Sequence, residues 1–431
     1  MDFVRKQLKC GAYLNVLQTD KFKKNYISVN FVFEHNESNA ALSSLLSDVL
    51  TRATKKYPSL RDVERELDES YGASLSSYTT VKGAYKILTV SIDCLDDHYA
   101  FDGEQLLKRS LDMLSEVIFS PLVDNGSFCE EYVSSEKEKL VAAISRRNNS
   151  KRHYALDKCK SIMCKGECCG IASYGSVDAV MRIDAQLLYE FYNYLINESN
   201  IELFYVGAYS LDDVSYLIDN MLVSLKRDAY SLLSFPEKVS VCEERYVSED
   251  ADYKQSVLVM GYRTGVNSRD DSKYAFVLFN SLFGSGVNSK LFKVVREQMN
   301  LCYYASCSPD LSSAVAYVTS GIDITNERKA RVAISDQLSA VAKGEFTDDE
   351  MDDCKRSLVN AYRELYDSAE GLCGWYLSRV IFGDDSTIDE TMQRILKVSR
   401  EEVIDVARKM QLDTVFVLRG IAKGSDGGYD E

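Results

Sequence analysis

Apolar positions recur along this chain with two alternating periods, and their order predicts its elements. From Asn25 to Phe33 the run Asn-Tyr-Ile-Ser-Val-Asn-Phe-Val-Phe alternates and is rich in β-branched and aromatic residues, which predicts a strand. Over 40–54 the period changes: Leu42, Leu45, Leu46, Val49 and Leu50 form one apolar helical stripe, with Ser44, Ser47 and Asp48 on the other faces. Similar reasoning predicts a helix over 59–70, strands over 73–78 and 84–92, and helices over 103–119 and 127–147, with helix continuing through Cys169. A helix over 184–195, a buried strand over 201–207 and a helix over 211–225 close the series, and a new strand opens at 255–262.

The order then repeats. An offset of 232 places Phe292 on Leu60, Val295 on Val63, Met299 on Leu67, Tyr303 on Tyr71, Ala305 on Ala73 and Ser306 on Ser74. It also places Tyr274, Val277, Leu278 and Leu282 on the first helix stripe. Further on the offset falls to 218, pairing Phe346 with Phe128 and Leu358 with Leu140, so an insertion of 14 residues is expected near Asp93–Glu104. Two copies of a strand, helix, helix, strand, strand, helix, helix unit predict an α+β protein of two similar α/β-sandwich domains, each a mostly antiparallel or mixed sheet covered by helices. The domains are expected over 1–230 and 240–431, with the boundary inside 226–253, a charged stretch containing Pro236.

Composition narrows the function. A chain of 431 residues with 45% hydrophobic content and only 4 Pro has the size for buried cores and no compositional sign of a flexible string. The net charge of −15 repels phosphate, which argues against nucleic acid and anionic membranes and leaves peptides and proteins as partners. No apolar leader precedes Tyr13 and no run reaches membrane-spanning length, so a cytoplasmic location and reduced thiols are expected for the 12 Cys. His35, His98 and His153 are too far apart to form a helical metal pair, and each reads as a surface or satisfied side chain. Cys159, Cys164, Cys168 and Cys169 could bind zinc, but their spacing lacks the separated C-x2-C pairs of structural sites, so reduced thiols are the preferred reading. Cys302 and Cys307 have no base nearby in sequence to activate them.

One segment carries a family likeness. From Leu282 to Ser306 the chain reads as a glycine loop (Gly284, Gly286), Ser-x-Leu-Phe, Val-Arg-Glu and Leu-x-Tyr, with Arg296 and Tyr303 seven residues apart. This resembles the second-domain signature of the pitrilysin/insulinase metallopeptidases in their two-domain form, and the resemblance covers almost the whole chain. The stretch 41–59 is similar to the first-domain helix that in active members carries H-x-x-E-H. Here Ser44 and Asp48 stand at the two ligand histidines and Ser47 at the general-base glutamate. The downstream helix resembles 136–147, where Ala142-Ala-Ile-Ser-Arg-Arg147 offers no third carboxylate. Zinc hydrolysis needs about three ligands, an open position and a base. The resemblance therefore implies a degenerate, metal-free member with no cofactor, and the three positions are expected on a solvated polar helix face.

In the family, an arginine and a tyrosine at the positions of Arg296 and Tyr303 reach toward a peptide held at the zinc site of the opposing domain or subunit. A guanidinium can donate to a peptide carbonyl and a phenol to a developing oxyanion. The implied role is a noncatalytic subunit of a heteromeric peptidase that closes the peptide chamber of a zinc-bearing paralogue. The other reading is a stand-alone peptide-binding or scaffold protein, possible as a homodimer. The glycine loop is not a P-loop, since Lys-Ser/Thr is missing at the required spacing. The branch resembled carries a name linking it to elongation factor P modification, for which no residue here supplies the chemistry.

Overall fold

The computed structural model describes residues 3–222, 225, 241 and 243–421. They form two compact units, and both are mixed α/β layers as expected. Unit 1 comprises Met1–Ser145, Ile171–Phe235 and Glu364–Asp385; unit 2 comprises Arg146–Gly170, Pro236–Arg363 and Ser386–Glu431. The units are thus interleaved in sequence rather than cut once between 230 and 240. Of the expected boundary stretch, residues 226–240 and 242 lie outside the described residues.

In unit 1, the strands β1 (Val4–Gln7), β2 (Tyr13–Gln18), β3 (Lys24–Glu34), β4 (Ser74–Lys82) and β5 (Tyr85–Leu95) are followed by a two-rung hairpin, β6 (Val123–Asp124) with β7 (Ser127–Phe128), and by β8 (Asn200–Gly207). The main sheet has the order β1-β2-β8-β3-β5-β4, with β2 and β8 parallel and the other neighbours antiparallel. In unit 2, β9 (Arg245–Ala251), β10 (Ser256–Arg263), β11 (Cys302–Asp310), β12 (Val315–Ile322) and β13 (Gln411–Gly420) form a sheet of order β11-β12-β10-β13-β9, with only β13 and β9 parallel. Reversed, that order matches β2-β8-β3-β5-β4 in position and direction. The repeat seen in the apolar ladder is therefore a repeat of topology.

The later offset of 218 also has a structural counterpart. The helix Glu130–Asn149 corresponds to Asp348–Glu364, and Lys151–Met163 to Ala369–Phe382, each pair starting at that offset. Part of the length difference sits in the β4–β5 hairpin rather than at 93–104. Ser74 faces Asp93, 19 residues on, whereas Ser306 faces Thr319, 13 residues on.

The most informative pairing is between the two corresponding helices. Lys151–Met163, from the first repeat, is counted with unit 2, where it lies on β10 and β13. Ala369–Phe382, from the second, is counted with unit 1, where it lies on β8. Every residue of β10 and of β8 is buried, so both faces of each strand need cover. In β10 the two faces go to different clusters: Leu258, Met260 and Tyr262 join the core under the unit's own helices, and Val257 and Val259 join Ala155, Cys159 and Met163.

The helix expected to run through Cys169 is instead two. Ser150 has extended backbone (φ −79, ψ 103) and breaks it, and the second helix stops at Cys164 because Gly166 takes a left-handed φ of +84. The first helix also ends earlier than expected, at Leu50.

Gly284 caps the helix Lys273–Phe283, and a Cβ there would lie 2.4 Å from Cys307 Cβ and 2.9 Å from its backbone nitrogen. Gly374, on an exposed helical face, would meet nothing within 4 Å. Gly284→Ala is expected to lower unfolding stability by about 1–3 kcal/mol. Gly374→Ala should leave it unchanged or raise it by up to about 1 kcal/mol. Denaturant melts of both variants check this contrast.

Candidate functional site

The degenerate metal positions lie in unit 1 on the helix Glu37–Leu50. Asn36 caps it by accepting from the Asn39 N–H, and Leu45, Leu46, Val49 and Leu50 seat it in the core. That packing buries Ser44 (3% exposed) and Ser47 (4%) as well, which corrects the expected solvated polar face. Their hydroxyls are committed: Ser44 Oγ donates to Ala40 O at 2.9 Å and Ser47 Oγ to Ser44 O at 2.8 Å. Satisfied hydroxyls cost little to bury, which is why a serine face can turn inward.

Two residues that the sequence reading missed complete the surroundings. Lys86, on β5, is fully buried, and its Nζ donates to Ser44 Oγ at 3.2 Å, to Ala40 O at 3.4 Å and to Ser173 O. Burial pulls its pKa down to about 8. The neighbouring His35 is buried too; its Nε2 faces Ile171 O at 3.5 Å, and its Nδ1 has no hydrogen-bond partner. Desolvation and the Lys86 charge push its pKa down to about 4, so the imidazole is neutral. The signal for Lys86 was a lone cation in the otherwise uncharged strand run Tyr85–Val90.

The second missed residue is Glu136, buried on the helix Glu130–Asn149. It accepts from Lys139 Nζ at 2.8 Å and lies 3.6 Å from Arg52 Nε. Asp48 is half-buried, and desolvation together with the Glu136 charge raises its pKa to about 6. A carboxylate therefore does approach the degenerate helix from the downstream one, although none was expected.

These residues do not fit a zinc ion. One ligand position, Ser44, and the general-base position, Ser47, are hydroxyls already bonded to backbone carbonyls, Asp48 is a lone carboxylate at the other ligand position, an ammonium adjoins Ser44, and Glu136 is held by two cations. Among the described residues of unit 1, no three His, Cys, Asp or Glu ligand atoms gather in one place. Without such a ligand set there is no Lewis acid and no lowered water pKa.

The second candidate set lies in unit 2. Gly284 closes the helix Lys273–Phe283, its carbonyl accepting from Cys307 N–H at 2.9 Å. The close approach that its missing side chain allows is thus to the chain's own β11. Gly286 has a left-handed φ of +81 with open space around it. The loop is pinned by Ser289 Oγ, which donates to Gly286 O at 2.9 Å, and by Lys290, whose Nζ is 3.0 Å from both oxygens of Glu350.

A π-helical segment, Leu291–Gln298, follows, with Leu291 and Val295 buried. Arg296 is on its exposed side, its guanidinium 4.5 Å from the centre of the Phe292 ring. Asn300, at φ +49, then turns the chain into β11. Cys302 pairs with Ile322 and Tyr304 with Gly321, so Tyr303 is the extra residue of a β-bulge on an edge strand. It is 54% exposed. Cys302 and Cys307 are buried, and desolvation raises both thiols, Cys307 to about 12, so neither is a nucleophile at neutral pH.

Several known proteins resemble this chain in sequence or fold. Residues 182–358 match the family model described as peptidase M16 inactive domain. The chain is 29% identical over 410 residues, 95% of its length and 96% of the relative's, to the probable inactive metalloprotease YmfF of Bacillus subtilis. A conserved protein from Enterococcus faecalis has a crystal structure that superimposes with a TM-score of 0.93 at 28% identity, covering 99% of this chain and 100% of that one. A peptidase M16 inactive domain from Pseudomonas fluorescens superimposes at 0.81 with 15% identity, over 98% and 99% of the chains, which is a likeness of fold. No helix among the described residues is long and apolar enough to cross a membrane.

The sign of the Asp48 effect is testable. Its folded value of about 6 lies above the ordinary 3.8, so the charged form is penalised above about pH 6 and the penalty fades as pH falls toward 4. Asp48→Asn is expected to raise stability by about 1–2 kcal/mol at pH 7.5, allowing for the group's partial exposure, and to change little near pH 4. Paired denaturant melts at the two pH values check it.

Proposed function

We propose, from the premise that the chain is an inactive M16-family peptidase homologue, that it serves as the noncatalytic subunit of a heteromeric peptidase, closing a peptide chamber over the site of a zinc-bearing paralogue. The observation that carries this reading is an asymmetry between the units. Unit 1 has Ser44, Asp48 and Ser47 where a zinc site would need two histidines and a glutamate, whereas unit 2 has Arg296 and Tyr303 exposed, one on a π-helix and the other on a bulged edge strand. An exposed arginine is ordinary, but Tyr303, 54% exposed on the bulge, leaves a large part of its surface to solvent where packing would bury it.

Within such an assembly Arg296 would donate to a carbonyl of the bound peptide, and the Tyr303 hydroxyl would donate a hydrogen bond to the carbonyl oxygen of the bond to be cleaved. The exposed edges β4 and β11 could accept an extended peptide as an added strand, since each has an unpaired side. A cytoplasmic site of action accords with the reduced-thiol reading of the cysteines.

The test mixes the full chain with an H-x-x-E-H-bearing paralogue from the same genome. Co-elution is expected, with peptide hydrolysis in the mixture and none from this chain alone. Arg296→Ala should lower kcat/KM of the mixture by about 10- to 1000-fold without weakening co-elution, and Tyr303→Phe by about tenfold or more. Unchanged kcat/KM in Arg296→Ala would remove the role given to that residue. Tight peptide binding by the lone chain, without association with the paralogue, would favour a scaffold instead.

A further inference from the structure

The inference concerns a side-chain cluster within unit 2 that the proposed function leaves unused, and it does not rest on that proposal. The helix Lys151–Met163 ends at Cys164, and the chain folds back over it. Glu167 N–H donates to Cys164 O at 2.9 Å and Gly170 N–H to Glu167 O at 3.0 Å. Gly166 provides the left-handed turn, and a Cβ on Gly170 would lie 2.3 Å from Cys164 O, so the bend needs glycine at both places.

This fold-back brings Cys164 Sγ, a Glu167 carboxylate oxygen and Cys169 Sγ within 4.8 Å of one another. The sequence spacing alone showed four cysteines in an unfavourable pattern; the fold adds a carboxylate to two of them. Cys164 is fully buried, with Tyr317 OH 3.4 Å from its sulfur. Glu167 is fixed by a fork from Arg263, whose Nη1 and Nη2 donate to its two oxygens at 2.7 and 2.6 Å. Arg263 is itself buried and donates through Nε to Asp413 at 3.1 Å and through Nη2 to Met163 O at 2.9 Å. Arg245 is the second partner of Asp413, at 2.5 Å.

Such a set is pre-organised: one ligand sits at a helix end, another is held by a buried arginine, and the third is placed by a glycine bend. The charges also balance. Glu167 and Asp413 offset Arg263 and Arg245, and if the two thiols lose their protons as one divalent ion enters, the net charge of the buried group is unchanged. Each carboxylate oxygen keeps a lone pair beyond the one facing Arg263. Two thiolates and a carboxylate select a borderline-soft cation over calcium or magnesium.

The geometry points to a structural site for a thiophilic divalent cation, zinc foremost, held by Cys164, Cys169 and Glu167, with Arg263 as a positioning residue. Water or the adjacent Cys168 would complete four-coordination. The ion would clip the bend after the exchanged helix to the strand that carries Arg263.

Cobalt(II) titration of the full-length, reduced, chelator-stripped protein tests the site through thiolate-to-cobalt charge-transfer absorption. One ion per chain is expected, displaced by zinc, with zinc also raising the melting temperature. Cys169→Ser, at a half-exposed position, and Cys164→Ser should each weaken binding about tenfold or more, and Glu167→Gln less. Cys159→Ser, a buried neighbour outside the ligand set, should leave binding intact and serves as the control for folding. Absence of the absorption in the wild-type chain, its persistence in a folded Cys169→Ser variant, or recovery of Cys164 and Cys169 as a disulfide from freshly isolated protein would each overturn the assignment.

Discussion

The structure depends on one packing constraint: the inner strands β8 and β10 are buried along their whole length, so each sheet must be covered on both faces. Each sheet takes part of that cover from a helix of the other repeat. The helices Lys151–Met163 and Ala369–Phe382 solve the problem reciprocally, each counted with the unit whose sheet comes from the other half of the chain. Alternate residues of β10 enter two different apolar clusters, which is the period-two signature of a strand covered on both sides. The exchange ties folding of the two halves together, so neither half is expected to be complete on its own.

That arrangement conserves architecture while freeing individual positions from chemistry. In unit 1 the helix that would carry a metal motif keeps its apolar seat through Leu45, Leu46, Val49 and Leu50. Its remaining face has been rebuilt as a network of internal hydrogen bonds around Ser44, Ser47 and Lys86. The lysine supplies, as a tethered ammonium, a positive charge beside the first degenerate position.

Much of this was legible in the sequence. The 3.6-residue stripe of the first helix, the alternation over β3 and the repeated ladder predicted mixed α/β units, and the glycine loop with Arg296 and Tyr303 carried the resemblance to a metallopeptidase family. What remained hidden depended on long-range placement. Ser44 turns inward to meet Lys86 and Ser173, residues distant in sequence, so a polar helical face looked solvated. Glu136 approaches Asp48 only after the downstream helix is docked. The break at Ser150, after Asn148 and Asn149, and the stop at Cys164, before Gly166, fall among weak helix formers that the apolar period overran, and Glu167 joins Cys164 and Cys169 only once Gly166 and Gly170 fold the chain back. The edge strands β1 (Val-Arg-Lys-Gln) and β9 (Arg-Tyr-Val-Ser-Glu-Asp-Ala) carry too few apolar residues to announce themselves.

The central claim is that this polypeptide cannot activate water by itself. The direct measurement is peptide hydrolysis by the purified lone chain, supplied with zinc and then treated with chelator. No turnover under either condition is the predicted result. Turnover that chelator abolishes, and that Asp48→Asn also removes, would contradict the account.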